Sequence, residues 1–180
     1  TEDTAPVPVD VTRVIESAIS MAWNEIRHRA HIVRNFEPVP SVRANESRLG
    51  QVFLNLLINA AQAIEDGDPI RHEVRVSTVA SESGVVVEIA DSGKGMGPEV
   101  LEQLFQPFFT TKPIGVGTGL GLSICRGIVE ELGGEISVAS QIGRGTTVRV
   151  LLPASQSLPA QRQSNPVPPS PRRARVLVID

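Results

Sequence analysis

The segment from Glu46 to Ile64 constrains the fold most, because it predicts a helix that is apolar around nearly its whole circumference. Such a helix must be covered by other elements on most of its sides. A narrow polar stripe interrupts the apolar surface at spacings of four, four and three residues, formed by Gln51, Asn55, Asn59 and Gln62. Buried amides need hydrogen-bond partners. The stripe therefore predicts either amides that cap neighbouring backbone groups or amide oxygens that hold a hydrated magnesium ion.

Helical and alternating apolar patterns predict further elements on both sides of this segment. We predict helices over residues 11–29, 98–104 and 120–132, the first of them capped by Asp10. With 180 residues, of which 41% are hydrophobic, the chain is long enough for one domain with a sizeable core. Alternation and apolar runs predict strands over residues 31–36, 73–79, 84–91, 135–140 and 146–152.

Changes in composition divide the chain into four parts. Residues 1–10 are a short polar lead, and residues 11–153 contain the predicted domain. Residues 154–174 are rich in Pro, Ser and Gln, which predicts a flexible linker. Residues 175–180 (RVLVID) have the pattern of a buried strand, and a lone strand cannot stabilise itself. We therefore expect these last residues to begin a second, truncated domain.

Charge and hydropathy limit the classes of partner. The net charge of −3 gives no reason to expect nucleic acid or an anionic membrane as a partner. No apolar run approaches the ~20 residues of a membrane span, and no signal peptide opens the chain. The single cysteine, Cys125, excludes an intrachain disulfide, and its apolar neighbours favour a core position over a reactive thiol. We expect a cytoplasmic fragment without membrane contact, whether or not the full-length protein is membrane-anchored.

The glycine segment DSGKGM, from Asp91 to Met96, follows a predicted strand directly. Asp91 shares its strand face with apolar residues, so its carboxylate is expected to face the interior and to need a donor. An adenine amino group would supply one, and Gly93 and Gly95 would let the backbone turn tightly against a flat base. The other interpretation is a plain turn capped by Asp91.

A second glycine segment, GVGTGLGLS at residues 115–123, runs directly into a predicted helix. Backbone N–H groups at a helix N-terminus form an anion site suited to phosphates. The same glycines are also typical of a mobile loop that orders around a ligand. In the preceding segment, FQPFFTTK at residues 105–112, the phenylalanines predict a lid anchor, a partner-facing surface or a small satellite core. Lys112 is either a ligand of a terminal phosphate or a solvated charge.

Taken together and in this order, the segments resemble the catalytic domain of sensor histidine kinases, in the superfamily shared with gyrase-type and chaperone-type ATPases. The resemblance covers residues 11–153. It implies a two-layer α/β sandwich in which three helices cover a mixed sheet beside a glycine-rich ATP lid. The matching motifs are the N box at 55–64, the first glycine box at 91–96, the F box at 105–112, the second glycine box at 115–123 and the Gly-x-Gly-Thr element at 143–147 (GRGTT).

The resemblance also implies roles for individual residues, with ATP and Mg²⁺ as ligands. Asn59 would bind magnesium, Asn55 and Lys112 would act near the phosphates, and Asp91 would bind the adenine amino group with support from Thr146. Many family members carry Lys and an aromatic residue where this chain has Gln62 and Ala63. The other implied ATP contacts are Gln62, Gly93, Gly95, Met96, Thr111, Gly115, Gly117, Thr118, Gly119, Leu120 and Gly121.

One position within the N box bears on the type of reaction. In the ATPase relatives a glutamate one turn before the magnesium-binding asparagine activates water, whereas this chain has Asn55, which cannot act as a general base. This favours phosphoryl transfer to a protein side chain. The rival hypotheses are an ATP-hydrolysing relative, a serine kinase of the anti-sigma-factor type and a module that only binds nucleotides or partners.

The histidines of this chain do not match the acceptor motif that the family carries. None of His28, His31 and His72 combines the following acidic residue with the expected position, so the acceptor histidine is expected on a dimerisation hairpin outside the fragment. The implied partners are therefore that hairpin and a downstream receiver domain. Without the hairpin we expect the isolated chain to be a monomer.

Overall fold

A computed structural model describes residues 5–111 and 118–155 of the chain. It confirms the predicted two-layer α/β sandwich, in which a five-stranded mixed sheet carries three long helices on one face. The elements in chain order are β1 (Val7–Val9), α1 (Val11–Ile26), β2 (His31–Phe36), β3 (Val42–Ala44), α2 (Glu46–Gln62), β4 (Glu73–Ser81), β5 (Gly84–Asp91), α3 (Pro98–Leu101), α4 (Gly121–Glu131), β6 (Glu135–Gln141) and β7 (Gly145–Leu152).

The large sheet has the strand order β2-β4-β5-β7-β6. The β2–β4 pair is parallel, and the other pairs are antiparallel. Alternate residues of the central strands are buried against the helices, among them Val76, Val87 and Val150. The residues between them point to the opposite face, where Arg149 and Glu88 form an ion pair at 3.9 Å. This period-two alternation is what the sequence predicted for a half-buried sheet.

Helix α2 lies at the centre of the helical layer, between α1 and α4. Most of its apolar residues, including Phe53 and Leu57, are buried and the others are partly buried, so the predicted apolar surface is covered on most of its sides. At its exposed N-terminal end, Arg–Glu ion pairs join α2 to each neighbour, and the pair with α4 is bidentate. Helix α1 begins at the predicted cap, where the Asp10 side chain accepts a hydrogen bond from the Arg13 amide at 3.2 Å.

A small antiparallel sheet of β1 and β3 was not predicted from the sequence. Strand β1 lies in the stretch assigned to a polar lead, yet Val9 is buried and belongs to the core. Three-residue strands are too short to show alternation, and a proline within β1 counts against a strand. Ala154 bridges Val42 at the start of β3, and the amide of Ser155 donates to the Ser41 carbonyl at 2.7 Å.

The other differences from the sequence-based elements concern their ends. Helices α1, α2 and α3 stop two or three residues before their predicted ends, whereas β4 continues to Ser81 because a tight turn pairs it with Gly84. Linker residues 156–174 and the predicted strand at 175–180 lie outside the described residues. Within the described ranges, no helix combines the length and apolarity needed to cross a lipid bilayer.

Candidate nucleotide site

Asp91 is the last residue of β5 and pairs in register with Thr146 of β7. Its carboxylate accepts a hydrogen bond from the Gly93 amide at 2.8 Å and another from the Thr146 backbone amide. Burial raises the pKa of Asp91 from 3.8 to about 6, and these backbone hydrogen bonds offset part of that rise. The predicted inward-facing carboxylate is therefore present, and above about pH 6 it is mainly ionised and can only accept hydrogen bonds.

The loop after Asp91 is held by backbone hydrogen bonds on two sides. The Lys94 amide donates to the carbonyl of Ala63 at the end of α2 at 3.0 Å, and the Gly143 amide donates to the Lys94 carbonyl at 2.7 Å. Gly95 has a φ of +67°, and a Cβ at this position would overlap the carbonyl oxygen of Gln141. Glycine is thus required here by contact with the β6–β7 turn.

Ser140 of β6 is a member of this cluster that the sequence analysis missed. Its hydroxyl lies 2.8 Å from the Met96 amide, 2.9 Å from the Gly145 carbonyl and 2.8 Å from the Thr146 hydroxyl. Ser140 follows Ile136 and Val138 on the inward face of β6. A polar residue at an inward position of an alternating strand was the available signal. No sequence pattern specified its partners.

The amide stripe of α2 has protein partners on both sides of the helix. The Gln62 side chain donates to Glu25 of α1 at 3.3 Å, and Asn55 forms a side-chain hydrogen bond with Cys125 of α4. Cys125 is fully buried, and burial raises the pKa of its thiol to about 11, in agreement with the predicted core position. The stripe members other than the exposed Gln51 are half-buried.

Helix α4 begins at Gly121, and among the residues that the structure describes the preceding Leu120 provides no side-chain cap. The first N–H groups of a helix have no intrahelical acceptor and carry partial positive charge. The Ser123 hydroxyl, in the first turn, donates to the Leu120 carbonyl at 2.9 Å. Donors of this kind are typical of anion sites, and the phosphate site stays a prediction.

The F-box phenylalanines have different environments. Phe105 lies under the Arg126 guanidinium, 5.5 Å from the ring centroid, whereas Phe108 is 76% exposed. The Phe108 amide donates to the Gly119 carbonyl at 3.0 Å, which joins the F box to the start of α4. Phe108 has a φ of +67°, an unfavourable conformation for a bulky residue. The satellite-core interpretation therefore does not account for Phe108.

The predicted site residues fall into groups that meet around α2. Asp91, Gly93, Gly95, Met96 and Thr146 form one cluster beside the end of α2 at Ala63. Thr118, Gly119, Leu120 and Gly121 lie at the start of α4, which the Asn55–Cys125 contact joins to α2. Thr111 is exposed at the edge of the described range. Lys112, Gly115 and Gly117 lie outside the described residues.

The donor atoms on α2 fit a magnesium ion that is held mainly by phosphates and water. Within the described residues, no group of three or more His, Cys, Asp or Glu side chains is placed to hold a metal. Magnesium retains several waters and takes few protein ligands, and the amide oxygens of Asn55 and Asn59 are of the hard oxygen type that it prefers. Amide oxygens of this kind fit a metal that arrives with a nucleotide.

A cavity of about 580 Å³ lies elsewhere, between the end of α1 and the loop after α2. Arg29 lines it, donates to the Ile64 carbonyl at 3.0 Å and pairs with Asp66 at 3.2 Å. The charges on this lining thus neutralise one another. None of the predicted site residues lines this cavity. We attribute it to the packing of the loop that follows α2.

Comparison with known sequences gives a match over most of the described chain. A family model described as histidine kinase-, DNA gyrase B-, and HSP90-like ATPase matches residues 44–156. The chain is 40% identical to the sensor histidine kinase ZraS of Escherichia coli (strain K12) over 151 residues, which are 82% of this chain and 31% of that protein. The chain thus spans less than a third of the length of this relative.

Comparison with solved structures also finds similarity to histidine kinases. The mycobacterial sensor histidine kinase MprB matches with a TM-score of 0.72 and 29% identity, over 82% of this chain and 97% of the MprB chain. Full-length ShkA in complex with AMPPNP matches with a TM-score of 0.70 and 26% identity, over 83% of this chain and 32% of the ShkA chain.

Proposed function

The chain belongs to the histidine kinase-, DNA gyrase B- and HSP90-like ATPases, and we propose that it binds Mg²⁺-ATP and transfers the γ-phosphoryl group to a histidine outside the fragment. The observation that carries the proposal is the Asp91 carboxylate, half-buried and held by backbone amides at the end of β5. A carboxylate in this setting is matched to the amino group of adenine. The uncapped start of α4, on the other side of α2, is matched to phosphates.

The magnesium ion supplies charge neutralisation on the phosphates, and Asn59 is its proposed protein ligand. Asn55, one turn earlier, has a neutral amide that is engaged with the Cys125 thiol. Such a side chain can orient a group but cannot remove a proton from water. Positioning and charge stabilisation by α4, Lys112 and the metal would then favour transfer to a protein nucleophile over hydrolysis.

The acceptor and the downstream partner belong to the proposal as well. The acceptor histidine would lie on a dimerisation hairpin of the full-length protein, in a cytoplasmic location. Residues 175–180 would begin a receiver domain, so the full-length protein would be a hybrid kinase. The full-length ShkA structure contains AMPPNP within a longer chain, which supports nucleotide binding by a domain of this kind.

The first experiment is calorimetry of an ATP analogue with and without Mg²⁺. We expect magnesium-dependent binding that is lost in Asn59→Ala and weakened about tenfold or more in Asp91→Asn. Asn24→Ala, a change of an exposed helical amide on α1, is the matched control and should bind like the unmutated chain. Absence of binding by the folded, unmutated chain would overturn the nucleotide site.

Transfer is tested separately by adding a purified histidine-kinase hairpin to the nucleotide-loaded chain. We expect acid-labile phosphate on the hairpin and little free phosphate in its absence. Rapid ATP hydrolysis without any acceptor would instead favour the rival hypothesis of an ATP-hydrolysing relative. It would also show that Asn55 does not prevent activation of water.

A further inference from the structure

The hydrogen-bond directions around Ser140 can be assigned from the atoms that meet there. A serine hydroxyl has one hydrogen and two acceptor positions. The Gly145 carbonyl, at 2.9 Å, can only accept, and the Met96 amide, at 2.8 Å, can only donate. The single hydrogen of Ser140 is therefore used on Gly145. The 2.8 Å contact with Thr146 then requires the Thr146 hydroxyl to donate to Ser140.

This assignment leaves the Thr146 hydroxyl oxygen with acceptor positions only. Thr146 is directly opposite Asp91 in the β5–β7 register, and its backbone amide donates to the Asp91 carboxylate. Side chains of such directly opposed residues project from the same face about 5 Å apart. An ionised carboxylate also only accepts. This edge of the cluster thus presents acceptors, because the Gly93 and Thr146 amides already donate to Asp91 and the Thr146 hydroxyl donates to Ser140.

From this arrangement we infer that Ser140 is a positioning residue that makes the site selective for purines with an amino group at position 6, because it holds Thr146 as an acceptor. The inference rests on the proposed nucleotide site. Adenine presents a donor at position 6, whereas hypoxanthine presents a carbonyl oxygen at the same place. A carbonyl facing Asp91 and Thr146 would remain without a donor, and sites built for one hydrogen-bonding pattern reject the reverse pattern strongly.

A purely structural role for Ser140 makes a different prediction. Its hydroxyl also joins β6 to Met96, so its loss could loosen the loop that follows Asp91. Loosening would weaken binding of every nucleotide by the same factor. Loss of the Thr146 orientation would lower the affinity for adenine nucleotides and raise the affinity for hypoxanthine nucleotides, because a released Thr146 hydroxyl can rotate and donate to the hypoxanthine carbonyl. The ratio of the two affinities therefore separates the roles.

The test is calorimetry of the full chain with ADP and inosine diphosphate, which differ only in the base. The unmutated chain should bind ADP about 100-fold more tightly than inosine diphosphate. Ser140→Ala should narrow this ratio about tenfold, and Ser140→Thr, which keeps the hydroxyl, should restore it. Ser137→Ala, on the exposed face of β6, is the matched control and should leave the ratio unchanged.

Thr146→Val provides a second, independent variant in case Ser140→Ala folds poorly. It should narrow the ratio about tenfold by itself, and adding Ser140→Ala to it should narrow the ratio no further. An unchanged ratio in folded Ser140→Ala, or equal binding of both diphosphates by the unmutated chain, would overturn the inference and leave the nucleotide site intact. Binding of neither diphosphate would overturn the proposed function, and this inference with it.

Discussion

Near Asp91, at the proposed adenine end, the described polar groups have protein partners, whereas at the proposed phosphate end α4 starts without a side-chain cap. Ser140, Thr146 and the Lys94 amide are all hydrogen-bonded within the fold. At the other end, Phe108 is exposed and has a positive φ. Satisfied groups fix geometry before a ligand binds, whereas exposed N–H groups without a side-chain cap bond to water and can exchange that water for an anion. The adenine end is thus preorganised, which favours selectivity, whereas the phosphate end is expected to change its conformation when a ligand binds.

The largest effect is expected from Gly95→Ala at the adenine end. The added Cβ would overlap the Gln141 carbonyl oxygen at a φ of +67°, so the loop or the β6–β7 turn must move. We expect the free energy of unfolding to fall by about 3 kcal/mol. Urea denaturation checks this value. Gly143→Ala is the control, since it has a φ of +75° with no described atom within 4 Å of its Cβ, and it should cost only about 1 kcal/mol.

Asp91→Asn is expected to stabilise the chain while it weakens nucleotide binding. The pKa of Asp91 is raised from 3.8 in the unfolded state to about 6 in the folded state, so the carboxylate destabilises the fold increasingly as the pH rises through this window. Asparagine carries no charge and avoids that penalty, so the free energy of unfolding should rise by ~2 kcal/mol above pH 6. Urea denaturation between pH 4 and 8 should show the two chains diverging with pH. A difference independent of pH would contradict the assigned cause.

The predictable parts of this molecule are those that depend on local pattern. The apolar periodicity of α2 and the alternation of β5 placed Asn59 and Asp91 correctly on their elements, although their binding roles stay predictions. Three-residue strands such as β3 carry too little pattern to be predicted. The partners of Ser140 depend on the β6–β7 register and on a loop distant in the sequence, and hydrogen-bond direction is not encoded in local spacing.

Phe108→Asn should stabilise the phosphate end modestly. Asparagine tolerates a φ of +67° better than phenylalanine does, and the exposed ring loses little buried area. We expect the free energy of unfolding to rise by about 0.5–1 kcal/mol in urea denaturation. Ile142→Asn is the control, since Ile142 is 72% exposed without a positive φ, and it should change stability by less than about 0.5 kcal/mol. Destabilisation by Phe108→Asn would mean that this ring is packed in solution.

Gly121→Ala is expected to have the smallest effect. It tests whether the phosphate end has room for a Cβ atom, which the adenine end lacks at Gly95. Gly121 is the first residue of α4, and no described atom lies within 4 Å of a Cβ built on it. Alanine has the higher helix propensity, so we expect a gain of about 0.5 kcal/mol in urea denaturation. Gly127→Ala, in the middle of α4 with equally open space, is the control and should gain about as much or slightly more. If Gly121→Ala destabilises the chain while Gly127→Ala does not, the start of α4 is as closely packed as the loop at Gly95. The difference between a rigid adenine end and an open phosphate end would then be lost.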